Sequence, residues 1–411
     1  MAGRRGESLQ ILILTPLLPY PPQQGTALRN YNLLRYLAGR HRVSLLSFAA
    51  AETSPEHLAH LRTLCAEVHT LPAPARSARA RLWTLATSRR PDMAWRLYSP
   101  AYAQALSGLL ARSPYDVLQV EGIELARYAE GLQSLPAERR PLVVFDDHNA
   151  EYLLQRRACL SDLRRPQRWA AAAYSWAQWR RLARFERAVC RAADRVVVVS
   201  EADAAALQAL DPALQPAVVP NGVDLDAYRP DLPPLPGLPR PALVFTGKMD
   251  FRPNVDAMLW FAGQVLPRIW AADPRVQLLI VGQSPSPRLE ALRREPRITI
   301  TGWVEDPRPY MAGSDVYVVP LLVGGGTRLK VLEAMAMGRA LVSTSLGVEG
   351  LGAADGEHML LADDAEAFAR QVLALLGDED RRRALGAEAR AFVERGYGWA
   401  QIGPQLEAVY R

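Results

Sequence analysis

An α/β chain built on two doubly wound parallel sheets is the fold class the sequence predicts, and three observations lead to it. Short runs that are apolar throughout, rather than alternating, recur along the chain, as strands covered on both faces require. Helix-length segments separate most of these runs, giving a strand–helix–strand order. The pattern then restarts beyond a proline-rich stretch near the middle. At 411 residues and 49% hydrophobic composition, each half has enough apolar material for its own core.

Taken in order, strands are predicted at Ile11–Leu14, Val43–Ser47, Val117–Val120, Leu142–Phe145 and Arg195–Val199. A second series follows at Ala242–Thr246, Gln277–Val281, Ile298–Thr301, Val316–Pro320 and Ala340–Thr344. Helices are expected at Arg29–Gly39, Ala257–Ala271, Leu329–Gly338 and Ala365–Leu376. Leu225–Pro241 carries Pro230, Pro233, Pro234, Pro236, Pro239 and Pro241 with little periodicity, which fits a linker. The expected domains are Rossmann-like: residues 1–235 and 236–395, with a terminal helix over about 396–411 packing back on the first. Ligands of open α/β sheets bind beyond the carboxyl ends of the strands, so two such domains facing each other form one cleft.

The chain has 49 basic and 43 acidic residues, a net charge of +6 that suits an anionic partner. Only Lys248 and Lys330 are lysines, and both sit in glycine-bearing segments of the second half. A compact ammonium there can face a phosphate, although a solvated surface is the commoner place for a lysine. Cys65, Cys159 and Cys190 lack metal-ligand spacing and read as reduced thiols of a cytoplasmic protein. No apolar run reaches the roughly 18 residues of a membrane span. Arg4-Arg5 before Leu9–Leu14 imitates a signal peptide, but the run is short and meets Pro16 and Pro19, so a first buried strand is expected.

Several loops carry candidate chemistry. Gly25 lies at a strand-to-helix turn, where it either opens backbone N–H groups to a ligand or simply makes a tight turn. His148 directly follows a predicted parallel strand, the position where catalytic groups collect. In the second half, Gly247-Lys248 follows a strand, with Arg252 and Asn254 in the next loop. Gly324-Gly325-Gly326-Thr327 opens a helix whose free N–H groups and dipole suit a diphosphate, with Arg328 or Lys330 adding charge. Glu333 lies two turns into that helix, where a carboxylate can accept a pair of sugar hydroxyls.

Pro220–Asp224, Phe245–Met249, Leu279–Gly282, Ile300–Val304 and Leu332–Gly338 occur in the order seen in GT-B glycosyltransferases of family 4, which the chain resembles over nearly its whole length. Phe245–Asp256 and Gly324–Glu333 are most similar to bacterial members associated with exopolysaccharide synthesis. The resemblance implies two Rossmann-like domains of the GT-B type, with a nucleotide-sugar donor in the second and an acceptor in the first. It further implies that Lys248 contacts the donor diphosphate and that Glu333 holds the ribose hydroxyls. Gly282, Trp303 and Val304 are implied around the base, His148 at the donor phosphate and sugar, and Gly25 in a loop near the phosphates. Gly247, Gly325, Gly326 and Thr327 complete the implied donor set.

Two positions depart from the family pattern. Gly325 stands where the first glutamate of an E-x7-E motif ending at Glu333 belongs, which leaves the donor sugar open and the N–H groups of Gly325, Gly326 and Thr327 as candidates to meet it. Pro253 replaces a customary lysine, leaving Arg252 or Arg328 to supply its charge. The implied reaction is metal-independent, cofactor-free transfer of a hexose-like unit with retention. The implied acceptor is a glycan or lipid-linked molecule. Asp224-Leu225-Asp226 has the form of a metal signature but falls between the domains, and no metal is expected.

Arg76–Arg90 and Arg156–Arg191 interleave arginine with tryptophan. They read either as helices resting on the anionic inner face of a membrane or as core tryptophans beside solvated arginines. No nucleic-acid recognition motif accompanies the charge. Two other functions stay open: a GT-B nucleotide-sugar epimerase using carboxylates near His148, and an inactive nucleotide-sugar-binding scaffold.

Overall fold

A computed structural model describes residues 8–411 apart from 23–24, 51, 164–165 and 324–328. It divides into two compact units, Met1–Pro220 with Gly403–Arg411, and Asn221–Ile402. The first holds β1 (Gln10–Thr15), β2 (Arg42–Ala49), β3 (Glu67–Pro72), β4 (Val117–Glu121), β5 (Leu142–Asp147), β6 (Arg195–Val198) and β7 (Ala217–Val218). The second holds β8 (Ala242–Thr246), β9 (Gln277–Val281), β10 (Ile298–Gly302), β11 (Val316–Val319), β12 (Leu341–Ser343) and β13 (Leu360–Leu361). Their orders are β3-β2-β1-β4-β5-β6-β7 and β10-β9-β8-β11-β12-β13, and the paired strands are parallel. The sequence-based reading of two parallel α/β sheets is therefore what the chain forms.

Each sheet reverses its winding at one place, between β1 and β4 in the first unit and between β8 and β11 in the second. Connections leave to opposite sides there, so the carboxyl ends of the central strands open a crevice. The central strands are buried along almost their full length because helices cover both faces. Burial removes their backbone from water, and the parallel ladder meets each N–H and C=O. The ten predicted strands form. The three not predicted, β3, β7 and β13, lie at sheet edges. An edge strand lacks full cover, so Glu67–Pro72 has no continuous apolar run, and β7 and β13 are only two residues each.

The proline-rich segment differs from the expected linker. Arg308 Nη1 donates to Ala227 O at 3.0 Å, Arg390 Nη1 to Tyr228 O at 2.7 Å, and Leu235 N to Pro309 O at 3.0 Å. Prolines leave the segment few donors of its own, and arginines of the second unit satisfy its carbonyls, so it belongs to that unit. At the other end, helix Trp399–Val409 closes with residues of the first unit: Tyr36 Oη donates to Glu407 at 3.2 Å and Tyr410 bonds Gln119. The three cysteines are unpaired and buried.

Candidate active site

In the first unit the loops after β1, β4 and β5 surround a cavity of ≈ 330 Å³ lined by residues that include Thr26, Gly122, Glu124, His148, Asn149 and Glu151. The β4–β5 register pairs Glu121 with Asp146, which sets two buried carboxylates side by side at the strand ends. Such a pair is costly unless cations answer it. Arg29, rising from helix Gly25–Ala38, donates through Nε at 3.2 Å and Nη2 at 2.8 Å to one oxygen of Asp146, and through Nη1 to Pro220 O at 3.0 Å. Arg29 and Asp146 are only 2% and 0% exposed. His148 Nε2 answers the second carboxylate, lying 2.7 Å from Glu121 Oε2, while Gln119 Nε2 donates to Glu121 Oε1 at 2.5 Å.

This arrangement sets the charge on the histidine. Burial opposes protonation of His148, but the Glu121 hydrogen bond and the charges of Asp146 and Glu121 outweigh it and raise its pKa above the ordinary value. Asp146 is raised by burial, against the pull of Arg29. Glu121 engages Nε2, so Nδ1 is the ring nitrogen left for a ligand. Gly122 follows with a φ of +83°, a left-handed conformation that favours glycine and turns the chain at once beside His148. Glu121, Asp146 and His148 also bring their ligating atoms within 4.8 Å of one another, a metal-like spacing. Arg29 already supplies the positive charge a cation would bring.

The next residue along β5 faces the other way. Asp147 is fully buried, and its pKa is driven well above the carboxylate range by burial and by the charge and hydrogen bond of Glu186. Glu186, which burial raises to about 7, accepts the backbone N–H groups of Glu151 at 2.7 Å and Tyr152 at 2.9 Å. Asp203 accepts from Ala150 N at 3.1 Å. These acids fix the turn that carries His148 and start helix Glu151–Leu163. Glu151 itself lines the cavity, and burial followed by the charges of Glu124 and Glu186 raises it to about 8.

In the second unit the ends of β8 and β9 come very close. A Cβ on Gly282 would lie 1.8 Å from Gly247 O, and one on Gly247 would lie 2.7 Å from Lys330 Nζ and 2.8 Å from Asn254 Nδ2. Both positions therefore require glycine. Lys330 Nζ sits 4.0 Å over the Phe245 ring and donates to Asn254 Oδ1 at 2.9 Å, while Asn254 Nδ2 donates to Lys248 O at 2.9 Å. Lys248 itself is half exposed, 3.5 Å from Asp250. Of the two lysines, Lys330 is the one the fold draws in toward the strand-end turn.

Glu333 lies three residues beyond Lys330 on helix Leu329–Ala336 and is partly buried. Burial raises its pKa, against a hydrogen bond from Tyr228 and the charge of Lys330. Arg252 Nε pairs with Asp256 at 3.3 Å. Trp303 is 70% exposed beyond β10, and Val304 packs against the core. Gly25 is the first residue of its helix. Gly325, Gly326, Thr327 and Arg328 lie outside the described residues. Asp224 caps its own turn, accepting from Asp226 N at 3.1 Å and Ala227 N at 3.0 Å. Sequence reasoning did not single out Glu121, Arg29 or Tyr228. Glu121 had a visible signal, since it ends a strand just before a glycine, whereas the other two act through contacts distant in sequence.

Two family models match the chain: "Glycosyltransferase Family 4" over residues 24–227 and "Glycosyl transferases group 1" over residues 240–378. A phosphatidyl-myo-inositol mannosyltransferase of Mycolicibacterium smegmatis is 32% identical over 200 residues, which are 47% of this chain and 50% of that protein. The chain thus spans about half the length of that curated relative. Among solved structures, sucrose-phosphate synthase from Thermosynechococcus elongatus superposes with a TM-score of 0.71 at 21% identity, covering 98% of each chain. Anabaena HepE in complex with UDP-glucose gives 0.65 at 14% identity, covering 97% of this chain and 98% of that one. At these identities the likeness of the two structures is one of fold, the GT-B glycosyltransferase architecture.

Proposed function

The chain belongs to glycosyltransferase family 4, and from that premise we propose that it moves a sugar from a nucleotide-diphosphate sugar to a glycan or lipid-linked acceptor. The observation that carries this reading is the Glu121–His148 pair beside a ≈ 330 Å³ cavity at the winding reversal of the first sheet. Glu121 favours the charged form of His148, and that form offers Nδ1–H to an anionic or hydroxyl oxygen, the contact a sugar phosphate needs. The second unit supplies the donor side. Bare backbone at Gly247 and Gly282, the ammonium groups of Lys330 and Lys248, and the carboxylate of Glu333 suit diphosphate, base and ribose.

Cleavage of the glycosyl–phosphate bond leaves charge on the diphosphate. Lys330, Lys248 and Arg328 lower the barrier by meeting that charge as it develops. No carboxylate is assigned as nucleophile. The acceptor hydroxyl attacks from the leaving-group face, its proton passes to the departing phosphate, and configuration is retained. The proposed reaction is metal-independent, a reading to which Arg29, already paired with Asp146, lends support. The mannosyltransferase relative and the UDP-glucose-bound neighbour support a hexose donor. Exopolysaccharide or other cell-surface glycan synthesis at the inner face of the membrane is the proposed setting. Among the described residues no helix is long and apolar enough to cross a membrane.

Glu151 favours one other reading: a carboxyl raised to about 8 in the same cavity suits the proton transfers of a nucleotide-sugar epimerase. Incubation with a panel of nucleotide-sugars, with and without glycan or lipid-linked acceptors and in excess EDTA, separates the possibilities. Acceptor-dependent release of nucleoside diphosphate, unchanged by EDTA, is the expected result. Interconversion of the sugar without release identifies the epimerase, and binding without turnover identifies an inactive scaffold.

A further inference from the structure

We propose that the helical hairpin formed by Glu151–Leu163 and Trp169–Ala192, with the adjoining helix Ala78–Thr87, docks on a bilayer containing anionic lipid. The inner face of the long helix is spent on the core, where Ala172, Leu182, Phe185 and Val189 are buried. Its outer face is a separate stripe. Trp169, Ala173, Trp176, Arg180 and Arg184 recur at helical spacing, with Trp169 61% and Trp176 51% exposed. Leu160 and Leu163 extend this surface from the neighbouring helix, and Trp169 Nε1 donates to Leu163 O at 3.3 Å.

Among the described residues, every large exposed apolar side chain of the first unit lies on this hairpin or on helix Ala78–Thr87. That short helix has no buried residue, and Trp83 is 69% exposed. It is tied to the long helix by hydrogen bonds. Arg76 donates to Asp92 at 2.9 Å and to Thr84 at 2.7 Å, and Asp92 N donates to Gln178 at 2.8 Å. The tryptophans are therefore not explained by the core of this unit, and a clustered apolar surface marks a contact site.

Charge identifies the occupant. Val68–Pro91 and Leu163–Phe185 contain no aspartate or glutamate, yet carry Arg76, Arg79, Arg81, Arg89 and Arg90 in one and Arg168, Arg180, Arg181 and Arg184 in the other. The Arg180 guanidinium lies 5.3 Å from the Trp176 ring. Tryptophan at the level of the headgroups and arginine on lipid phosphates is the chemistry of an interfacial helix. Arg76 and Arg81 pair with Asp92, Arg90 with Glu130 and Arg168 with Asp162, so the basic face that meets lipid phosphate is carried by the exposed Arg79, Arg89, Arg180 and Arg184.

The docking surface deepens the membrane setting proposed above by naming the surface and its lipid, and the vesicle test fails or succeeds independently of transferase activity. The full chain is floated with vesicles of phosphatidylcholine alone or mixed with phosphatidylglycerol, with no donor present. Binding is expected only to the mixed vesicles and is expected to weaken as salt rises. Trp169→Ser/Trp176→Ser and Arg180→Glu/Arg184→Glu should each lower partitioning about tenfold or more, since a single basic side chain near an anionic surface contributes roughly fivefold. Unchanged thermal unfolding and nucleotide binding would show that both variants fold. Equal binding to neutral vesicles, parental binding by both variants, or no binding at all overturns the proposal. So does a dimer in light scattering that the tryptophan variants dissolve while vesicles stay bare.

Discussion

The strand ends of the two units solve the same electrostatic problem in opposite ways. In the first, four charged or chargeable groups are buried and answered pairwise, Arg29 with Asp146 and His148 with Glu121. In the second, the turn is made of bare glycine, and its cations are held by weaker partners: Lys330 by an aromatic ring and an asparagine, Lys248 by an exposed aspartate. The first unit has its geometry set before any ligand arrives. Lys330 also acts on the Glu333 carboxyl, its charge working against the burial that raises that group. Buried ion pairing is thus the device of the first unit, and closely packed glycine backbone that of the second.

The largest effect should come from breaking the preorganised side. His148→Ala is expected to lower transfer about 10²- to 10³-fold, the usual cost of losing one hydrogen-bond donor to developing charge, with no loss of folded protein by circular dichroism. Full activity in that variant would remove the assignment. On the other side, the two lysines can be ranked by nucleotide-sugar affinity. Lys330→Ala should weaken donor binding about 10- to 100-fold, the worth of a hydrogen bond to a charged group. Lys248→Ala should cost clearly less, because its side chain is solvated and already paired. An equal loss in both would erase the distinction drawn between them.

A subtler test uses pH. The folded pKa of His148 is raised, so its charged form persists above the ordinary value of about 6.5 and is lost as pH rises through the folded value. The alkaline limb of kcat/KM should follow that titration. Glu121→Gln removes the charge and the charge-assisted hydrogen bond, and is expected to move the limb to lower pH. A limb that stays in place shows that Glu121 does not set the protonation of His148.

The smallest effect concerns stability. Asp147, Glu151 and Glu186 have folded pKa values above their unfolded ones, so the folded state binds more protons. Their contribution is present at low pH and fades as pH rises through about 7 to 8. Melting temperature should therefore fall as pH rises from roughly 4 to 8, by about 3 °C for each kcal/mol lost. Asp147→Asn keeps a neutral donor toward Glu186 and should flatten that slope. An unchanged slope would place the titration elsewhere.

Much of this protein was legible from pattern. Every strand buried on both faces announced itself as an apolar run, and His148, Lys248, Lys330 and Glu333 stood out beside such runs or at a helix start, with Lys248 ranked ahead of Lys330. The edge strands did not, since water on one side relaxes the demand for apolar residues. Arg29 did not either: an arginine in an amphipathic helix is normally solvated, and only the distant Asp146 makes its burial tolerable. The proline-rich segment misled for a related reason. Its composition says that it lacks regular structure, but not that Arg308 and Arg390 would fasten it to the second unit.

What the sequence determined by itself was periodicity and order: two parallel sheets, their strands, and the loops at their carboxyl ends. These follow from which residues avoid water, a property each residue carries alone. Tertiary structure decided which charges meet. It gave His148 a glutamate, Asp146 an arginine, Lys330 rather than Lys248 the inner place at Gly247, and Trp169 and Trp176 an outward face. Ion pairing and exposure depend on neighbours far apart in the chain, and those neighbours exist only once the strands have found their register.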